Sequence, residues 1–341
     1  MTAGEVLQTI QETGRLADAD LQGIHLPGAA LSGAALVRVN LRGAVLTKAD
    51  LSGASLDAVD LSGADLSGAD LSGCEIYRST LSGTDLSAAD LGRAHLGACD
   101  LSGARFARAT LIMATFHECT LTSADFTGAD LTRVSADHTA LKSAVFSGTN
   151  LTKAYLVASD LESQKFPGCR LLMTLLDHCH LKQADFTGTD LTQASFAGAD
   201  IAGADFTKAA GQYVNFAGAH GGAARFAGAA FFMATFEGAR LDHAVFRGAA
   251  LEQSLFVRAT LNGADFRMAQ LPYTDFSHAA IRGADFSDAL LTGVNIHGVD
   301  MSEAKWEGAD RSRLLKTDPD LLAAERWRAP ESIQEEIKVN R

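Results

Sequence analysis

The sequence predicts an all-β solenoid: a four-sided coil of very short strands, about 15 coils long, with a short helix at each end. Three observations carry this. A large apolar residue returns at every fifth position from Leu16 to Trp306, fifty-nine times without an insertion, and only Ala136, Gly211 and Gly221 interrupt it. The residue two places before each of these centres is nearly always small, as at Ala64, Ala69, Cys74, Ser79 and Thr84. Finally, Phe106, Phe126, Phe146, Phe166, Phe186, Phe206, Phe226, Phe246, Phe266 and Phe286 recur every twenty residues, and Trp306 continues the column.

A helix face needs steps of three and four and a half-buried strand needs steps of two, so a strict five-step is neither. It fits a chain that bends once per word and closes a lap every four words. The large and small apolar positions then point inward together, and the other three positions face water. The period of twenty in phenylalanine is the internal check on four-sidedness, and Phe196, Phe216, Phe236, Phe256 and Phe276 form a second column on the opposite side. Stacked aromatics reinforce register. At a strand spacing of ~4.8 Å the rod is roughly 70 Å long.

In chain order, residues 1–15 are expected to form a helical cap. Thr2-Ala3-Gly4-Glu5 reads as a capping box, Val6, Leu7 and Ile10 as an apolar stripe, and Gly14 as a stop. Residues 16–310 form the coil itself, typified by VDLSGADLSGADLSG from Val59 to Gly73. Residues 311–341 are read as a helical cap or tail. Asp318-Pro319 looks like a helix start with Leu321, Leu322 and Trp327 on its apolar side, Pro330 ends it, and a second short helix follows through Ile333 and Ile337. Covering the open end of the coil is the plain role of this segment; a homodimer contact is the alternative.

The formal net charge of −12 argues against direct binding of nucleic acid. No apolar run reaches transmembrane length, and the opening MTAGEVLQTIQETG has no basic region followed by an apolar stretch, so a cytoplasmic protein with reduced thiols is expected.

The words resemble those of the pentapeptide-repeat family, A-(D/N)-L-x-x, from residue 16 to about residue 310. The resemblance implies a right-handed quadrilateral β-helix; handedness is not readable from spacing. The opening EVLQTIQETGRLADADLQGIHL is similar to the start of family members linked with type VI secretion clusters, which would imply an adaptor. Other members inhibit or protect DNA gyrase as acidic, dimeric DNA mimics.

Cys74, Cys99, Cys119, Cys169 and Cys179 all fall on the small inward position and read as core filler. Cys99 and Cys119 are one lap apart with parallel side chains, which suits a disulfide poorly. His117-Glu118-Cys119 and His178-Cys179-His180 look metal-like, but their cysteines point inward and the strings are three laps, about 14 Å, apart. His117 with Asp137 and Glu118 with His138 read as a solvated patch. Aspartate abundance follows the word itself, and no nucleophile with its base and no phosphate-binding loop stands out. No catalytic, cofactor or metal residue is assigned, and the chain is read as a non-enzyme.

A longer echo is more specific. LIMATF, LLMTLL and FFMATF begin at Leu111, Leu171 and Phe231, spaced by sixty residues and therefore on one side. Positions expected to face water hold Ile112, Met113, Leu172, Met173, Phe232 and Met233, and Tyr213 and Tyr273 share the side. A contiguous exposed apolar group suits a protein partner, with methionine as an adaptable contact. The plain alternative is an internal triplication that copied local packing.

That side also carries Asp50, Asp70, Asp90, Asp130 and Asp190, and the next carries Asp65, Asp85, Asp125, Asp185, Asp205, Asp265 and Asp285, so an acidic edge is expected. Gly211 and Gly221 empty two core positions, which predicts a local irregularity or weak point there unless Phe232 or Tyr213 refills the space. The reading that follows is a protein-binding scaffold, with a DNA-mimic inhibitor or protector of gyrase and a structural spacer as alternatives.

Overall fold

The computed structural model describes residues 1–326. Those residues form a right-handed, four-sided all-β solenoid flanked by two helices. Helix α1 spans Ala3–Thr13. Its capping box is complete: Thr2 N–H donates to Glu5 Oε2 at 2.7 Å and Glu5 N–H to Thr2 Oγ1 at 3.3 Å. Gly14 ends the helix at φ 68°, the left-handed region where glycine has no Cβ penalty. Val6 and Ile10 are buried on the first laps, with Leu7 partly buried beside them.

Each lap takes twenty residues. The parallel partners run from Arg15↔Ala35 to Asn295↔Leu315, always twenty apart. The first face, with centres at Leu16, Leu36 and onward, holds strands β1 (Arg15–Ala17), β2 (Ala35–Val37), β3 (Ser55–Asp57), β4 (Glu75–Tyr77), β5 (His95–Gly97) and β6 (Thr115–His117). The second, third and fourth faces have centres from Leu21, Leu26 and Leu31. Strands β7 (Ala210–Gln212) and β8 (Ala230–Phe232) lie on the fourth.

One word shows how the pattern generates the coil. Leu51 N–H bonds up to Asp70 C=O at 2.7 Å, Asp50 N–H bonds down to Ala29 C=O at 2.9 Å, and Ala54 N–H closes the corner on Leu51 C=O at 2.9 Å. Asp50 Oδ1 accepts Ser52 N–H at 3.0 Å, an Asx-type corner bond that recurs at most aspartates before a centre. This is why the word favours aspartate. Several small inward positions that carry a hydroxyl satisfy it on the lap below: Thr84 Oγ1 donates to Leu61 C=O and Thr149 Oγ1 to Phe126 C=O, both at 2.8 Å.

The core is a zipper of the two aromatic columns. Phe206, Phe226 and Phe246 stack at 4.9 and 4.7 Å with their planes within 5°. Phe216 and Phe236 on the opposite face meet Phe226 edge-on at 5.5 and 5.7 Å.

The space at Gly211 and Gly221 is closed by neighbours other than those expected, and at Gly211 the fourth face departs locally from single bridges into the paired strands β7 and β8. A Cβ at Gly211 would lie 2.8 Å from Val214 Cγ2, and one at Gly221 would lie 2.7 Å from Leu241 Cδ2 and 3.0 Å from Ile201 Cγ1. Neighbours within the core have closed in, while Tyr213 stays 49% exposed and takes no part. A longer irregular stretch lies elsewhere. Bridges are missing between Thr120 and Ala140 on the second face, Val145 and Lys165 on the third, and Arg170 and Asp190 on the fourth.

This fault climbs one lap per face through the region where Ala136 replaces a large centre. Its middle step has a clear cause. Gln164 occupies a small inward position and inserts its amide into the ladder. Nε2 donates to Leu141 and Ala144 C=O, and Oε1 accepts Lys165 N–H, all at 2.8 Å. The Phe146–Phe166 stack there opens to 6.0 Å.

Candidate docking face

The fourth face is distinguished at the corner two residues after each centre. The backbone there takes a left-handed conformation, which glycine adopts without cost and other residues at roughly 1 kcal/mol or more. Ten successive laps on this face hold Arg93, Met113, Arg133, Lys153, Met173, Gln193, Tyr213, Met233, Gln253 and Tyr273, with φ between 55 and 62°. No other face holds so long a run of large side chains at this corner among the described residues. The first face comes nearest, but its run includes Ala58, Ala98 and Ala158.

Fifteen large apolar side chains are exposed among the described residues, and seven lie on this face against none on the second. Ile112 (38%), Met113 (42%), Leu172 (37%), Tyr213 (49%), Met233 (39%) and Tyr273 (60%) are open to solvent. Met173 and Phe232 are half-buried.

All eight share the face, but they do not form one patch. Tyr213, Phe232 and Met233 sit on neighbouring laps, joined by the bond from Tyr213 N–H to Phe232 C=O at 2.9 Å. Tyr273 lies two laps beyond Met233, across Gln253, and its ring lies over Gly293, where a Cβ would come within 2.7 Å of Cδ1. Leu172 and Met173 precede Tyr213 by two laps, across Gln193. Arg133 and Lys153 separate Met113 from Met173. The fault reaches this face beside Leu172, where the gap between Arg170 and Asp190 opens a cleft of about 310 Å³ lined also by Thr152, Cys169 and Leu171.

The acidic edge is less continuous than the aspartate positions suggest. On the third face Arg105 bonds Asp85 at 2.6 Å, Arg225 approaches Asp205 to 3.6 Å, and Arg267 pairs with Asp265 at 2.7 Å. Hydrogen bonds from the Ser52 side chain and N–H hold Asp50 below the usual carboxylate range, and those from Thr187 do the same for Asp185. These carboxylates are engaged in the corners as well as facing water.

Cys74, Cys99, Cys169 and Cys179 are buried and Cys119 is half-buried, all unbridged. Burial pushes the Cys74 and Cys179 thiols up to about 12 and that of Cys169 to about 11, so they are protonated and unreactive. The shared hydrogen bond with Cys99, together with burial, raises Cys119 as well. His117 and Glu118 are 80% and 74% exposed and 3.8 Å apart. Among the described residues the one group with metal-ligand geometry is His278, His297 and Glu325, which the local strings did not reveal. Its signal in the sequence is the lap arithmetic: residues 278 and 297 fall at neighbouring corner positions of successive laps.

Comparison with known proteins agrees with the repeat. The family model for pentapeptide repeats matches residues 15–53, 54–93, 174–210, 239–272 and 269–305, and a second model, for a pentapeptide repeat region, matches residues 78–146. Comparison with curated proteins found no match. Similar solved structures include HetL, a pentapeptide repeat protein involved in heterocyst differentiation regulation from the cyanobacterium Nostoc. It is 24% identical over 93% of this chain and 98% of that one, with a TM-score of 0.27. QnrB1, a plasmid-mediated fluoroquinolone resistance protein, is 20% identical over 80% and 97%, with a TM-score of 0.28. A pentapeptide repeat protein from the Arabidopsis thaliana thylakoid lumen is 31% identical over 33% and 66%, with a TM-score of 0.12. The family matches cover more than half of the sequence, between residues 15 and 305, in the same five-residue words that build the coil, and the chain belongs to the pentapeptide repeat family.

Proposed function

We propose that the protein is a non-catalytic scaffold that docks another protein on its fourth face. The observation that carries this is the ladder from Arg93 to Tyr273: ten large side chains kept at left-handed corners where glycine is the low-cost residue. At roughly 1 kcal/mol each, the strain is large against the stability of a protein. Packing of the core does not require it, because nine of the ten side chains are exposed.

Methionine and tyrosine give adaptable and rigid apolar contact respectively, and the arginines, lysine and glutamines between them supply a polar surround. The partner that fits is a protein with an apolar strip along its surface. Tyr213, Phe232 and Met233 are the anchor, and Ile112, Met113, Leu172, Met173 and Tyr273 extend it.

The DNA-mimic reading asks for an unbroken line of negative charge, and the arginines at 105, 225 and 267 interrupt that line. The finer assignment to type VI secretion rests on the opening residues alone and draws nothing from this face.

The test is capture of partners from the source cell by wild-type protein and by a variant with Met113, Met173 and Met233 changed to Asp. Aspartate tolerates the left-handed corner, so the coil is retained, and circular dichroism checks that it is. Partners lost with the coil intact support the docking face; an unchanged set of partners rejects it. A gyrase supercoiling assay run in parallel separates the mimic, which inhibits or protects without the three methionines.

A further inference from the structure

His278, His297 and Glu325 come from two successive laps and from helix α2 (Pro319–Arg326), which begins after the N-cap Asp318. Glu325 Oε2 lies 3.2 Å from His278 Nε2 and 3.3 Å from His297 Nε2, and the three donor atoms lie within 4.8 Å of one another. His297 is buried at 6% exposure and its ring stands edge-on to that of His278 at 5.2 Å. Gly298 leaves the space the His278 ring fills, since a Cβ there would overlap Nδ1. The fourth side opens on a cleft of about 530 Å³ lined also by Arg258 and Leu322.

We propose that these three side chains form a zinc site that fastens α2 to the end of the coil. With zinc–donor distances of about 2.0–2.2 Å, the edge of a tetrahedron is about 3.3–3.6 Å, and Glu325 Oε2 lies close to that separation from the two imidazoles, at 3.2 and 3.3 Å. Two imidazoles and one carboxylate are a zinc donor set; calcium and magnesium prefer all-oxygen shells. Water from the open cleft supplies the fourth ligand. Zinc on Nε2 places the His297 proton on Nδ1, so the contact from Asp318 N–H to Nδ1, a long 3.3 Å, is given up. The N-cap bonds that Asp320 and Leu321 N–H donate to Asp318 Oδ1 are independent of that proton and hold the start of the helix.

The experiment is calorimetric titration of zinc chloride into tag-free, chelator-stripped full-length protein, with Glu325→Gln, His278→Ala and, as a control on an exposed histidine elsewhere, His243→Ala. The expected result is one zinc per chain for wild type and His243→Ala, with affinity lowered at least about tenfold in Glu325→Gln and His278→Ala. Amide exchange across residues 319–326 then slows on adding zinc to wild type only. No stoichiometric zinc in the wild type, or equal affinity in Glu325→Gln, overturns the site. Zinc binding without slower exchange across the helix overturns its fastening role.

Discussion

Two phenylalanines in one column should differ in worth by an amount the geometry sets. Phe226 stacks on Phe206 and Phe246 at 4.9 and 4.7 Å and meets Phe216, Phe236 and Phe231 at 5.5, 5.7 and 6.4 Å. Phe146 has only its stacking partners, at 5.5 and 6.0 Å, because Ala136 and Leu156 stand near its level on the opposite face. Both rings are buried. Truncation of either to alanine removes the same atoms, at about 3–5 kcal/mol. Three additional aromatic contacts at about 0.5 kcal/mol each add about 1.5 kcal/mol for Phe226, and the looser ladder around Gln164 lets the Phe146 site relax further.

Phe226→Ala is therefore expected to be the more damaging by about 1.5–2 kcal/mol. Urea unfolding followed by circular dichroism reads the midpoints, and amide exchange resolves the affected laps, since a solenoid unfolds through neighbouring units. Equal losses, or a larger loss for Phe146→Ala, refute the claim that edge contacts across the core add to stacking along it.

Three further outcomes follow from the same geometry. Gly211→Ala should cost about 1–3 kcal/mol and more than Gly221→Ala, because its Cβ would meet Leu191 and Thr192 backbone atoms at 2.9 Å, whereas Gly221 faces movable side-chain ends; thermal melts of the pair decide it. Gln164→Ala should let Lys165 N–H return to the Ala144 carbonyl, so exchange at the Lys165 amide slows; unchanged protection contradicts the wedge. Carboxyls such as Asp50, Asp185 and Asp265 are held below their unfolded values by hydrogen bonds. Their contribution is present above about pH 4 and is lost as the pH falls through the lowered folded values, so urea midpoints should be level at neutral pH and decline only below about pH 4.

The repeat announced most of the fold because every word solves the same local problem. A large residue and a small one face inward, an aspartate closes the corner, and the period of twenty sets which residues stack. What escaped the repeat depends on contacts between laps that no single word encodes. Gln164 occupies a position where a small residue was expected, and its amide outcompetes the ladder it interrupts. Val214, Ile201 and Leu241 fill the space at Gly211 and Gly221, while of the two residues that looked available Tyr213 is exposed and Phe232 half-buried on the fourth face.

Cations placed one lap from aspartates divide the acidic edge. The eight apolar residues of the fourth face were legible through the spacing of sixty, but their grouping into an anchor around Tyr213 and an extension was not, since that depends on which laps intervene. His278 and His297 become neighbours only through the lap, and Glu325 only through the packing of α2. Of the C-terminal segment, Asp318 and Pro319 begin a helix as expected, whereas Trp327, Pro330, Ile333 and Ile337 lie outside the described residues.

A distance measurement between spin labels tests the whole account most directly. Labels at Met113→Cys and Met233→Cys, in a chain whose native cysteines are replaced by alanine or serine, sit on one column of one face. Six laps at ~4.8 Å place the labelled positions about 29 Å apart. A single narrow distribution near that value is the predicted result. A broad distribution, or a distance that no whole number of laps can produce, contradicts both the coil and the docking face built on it.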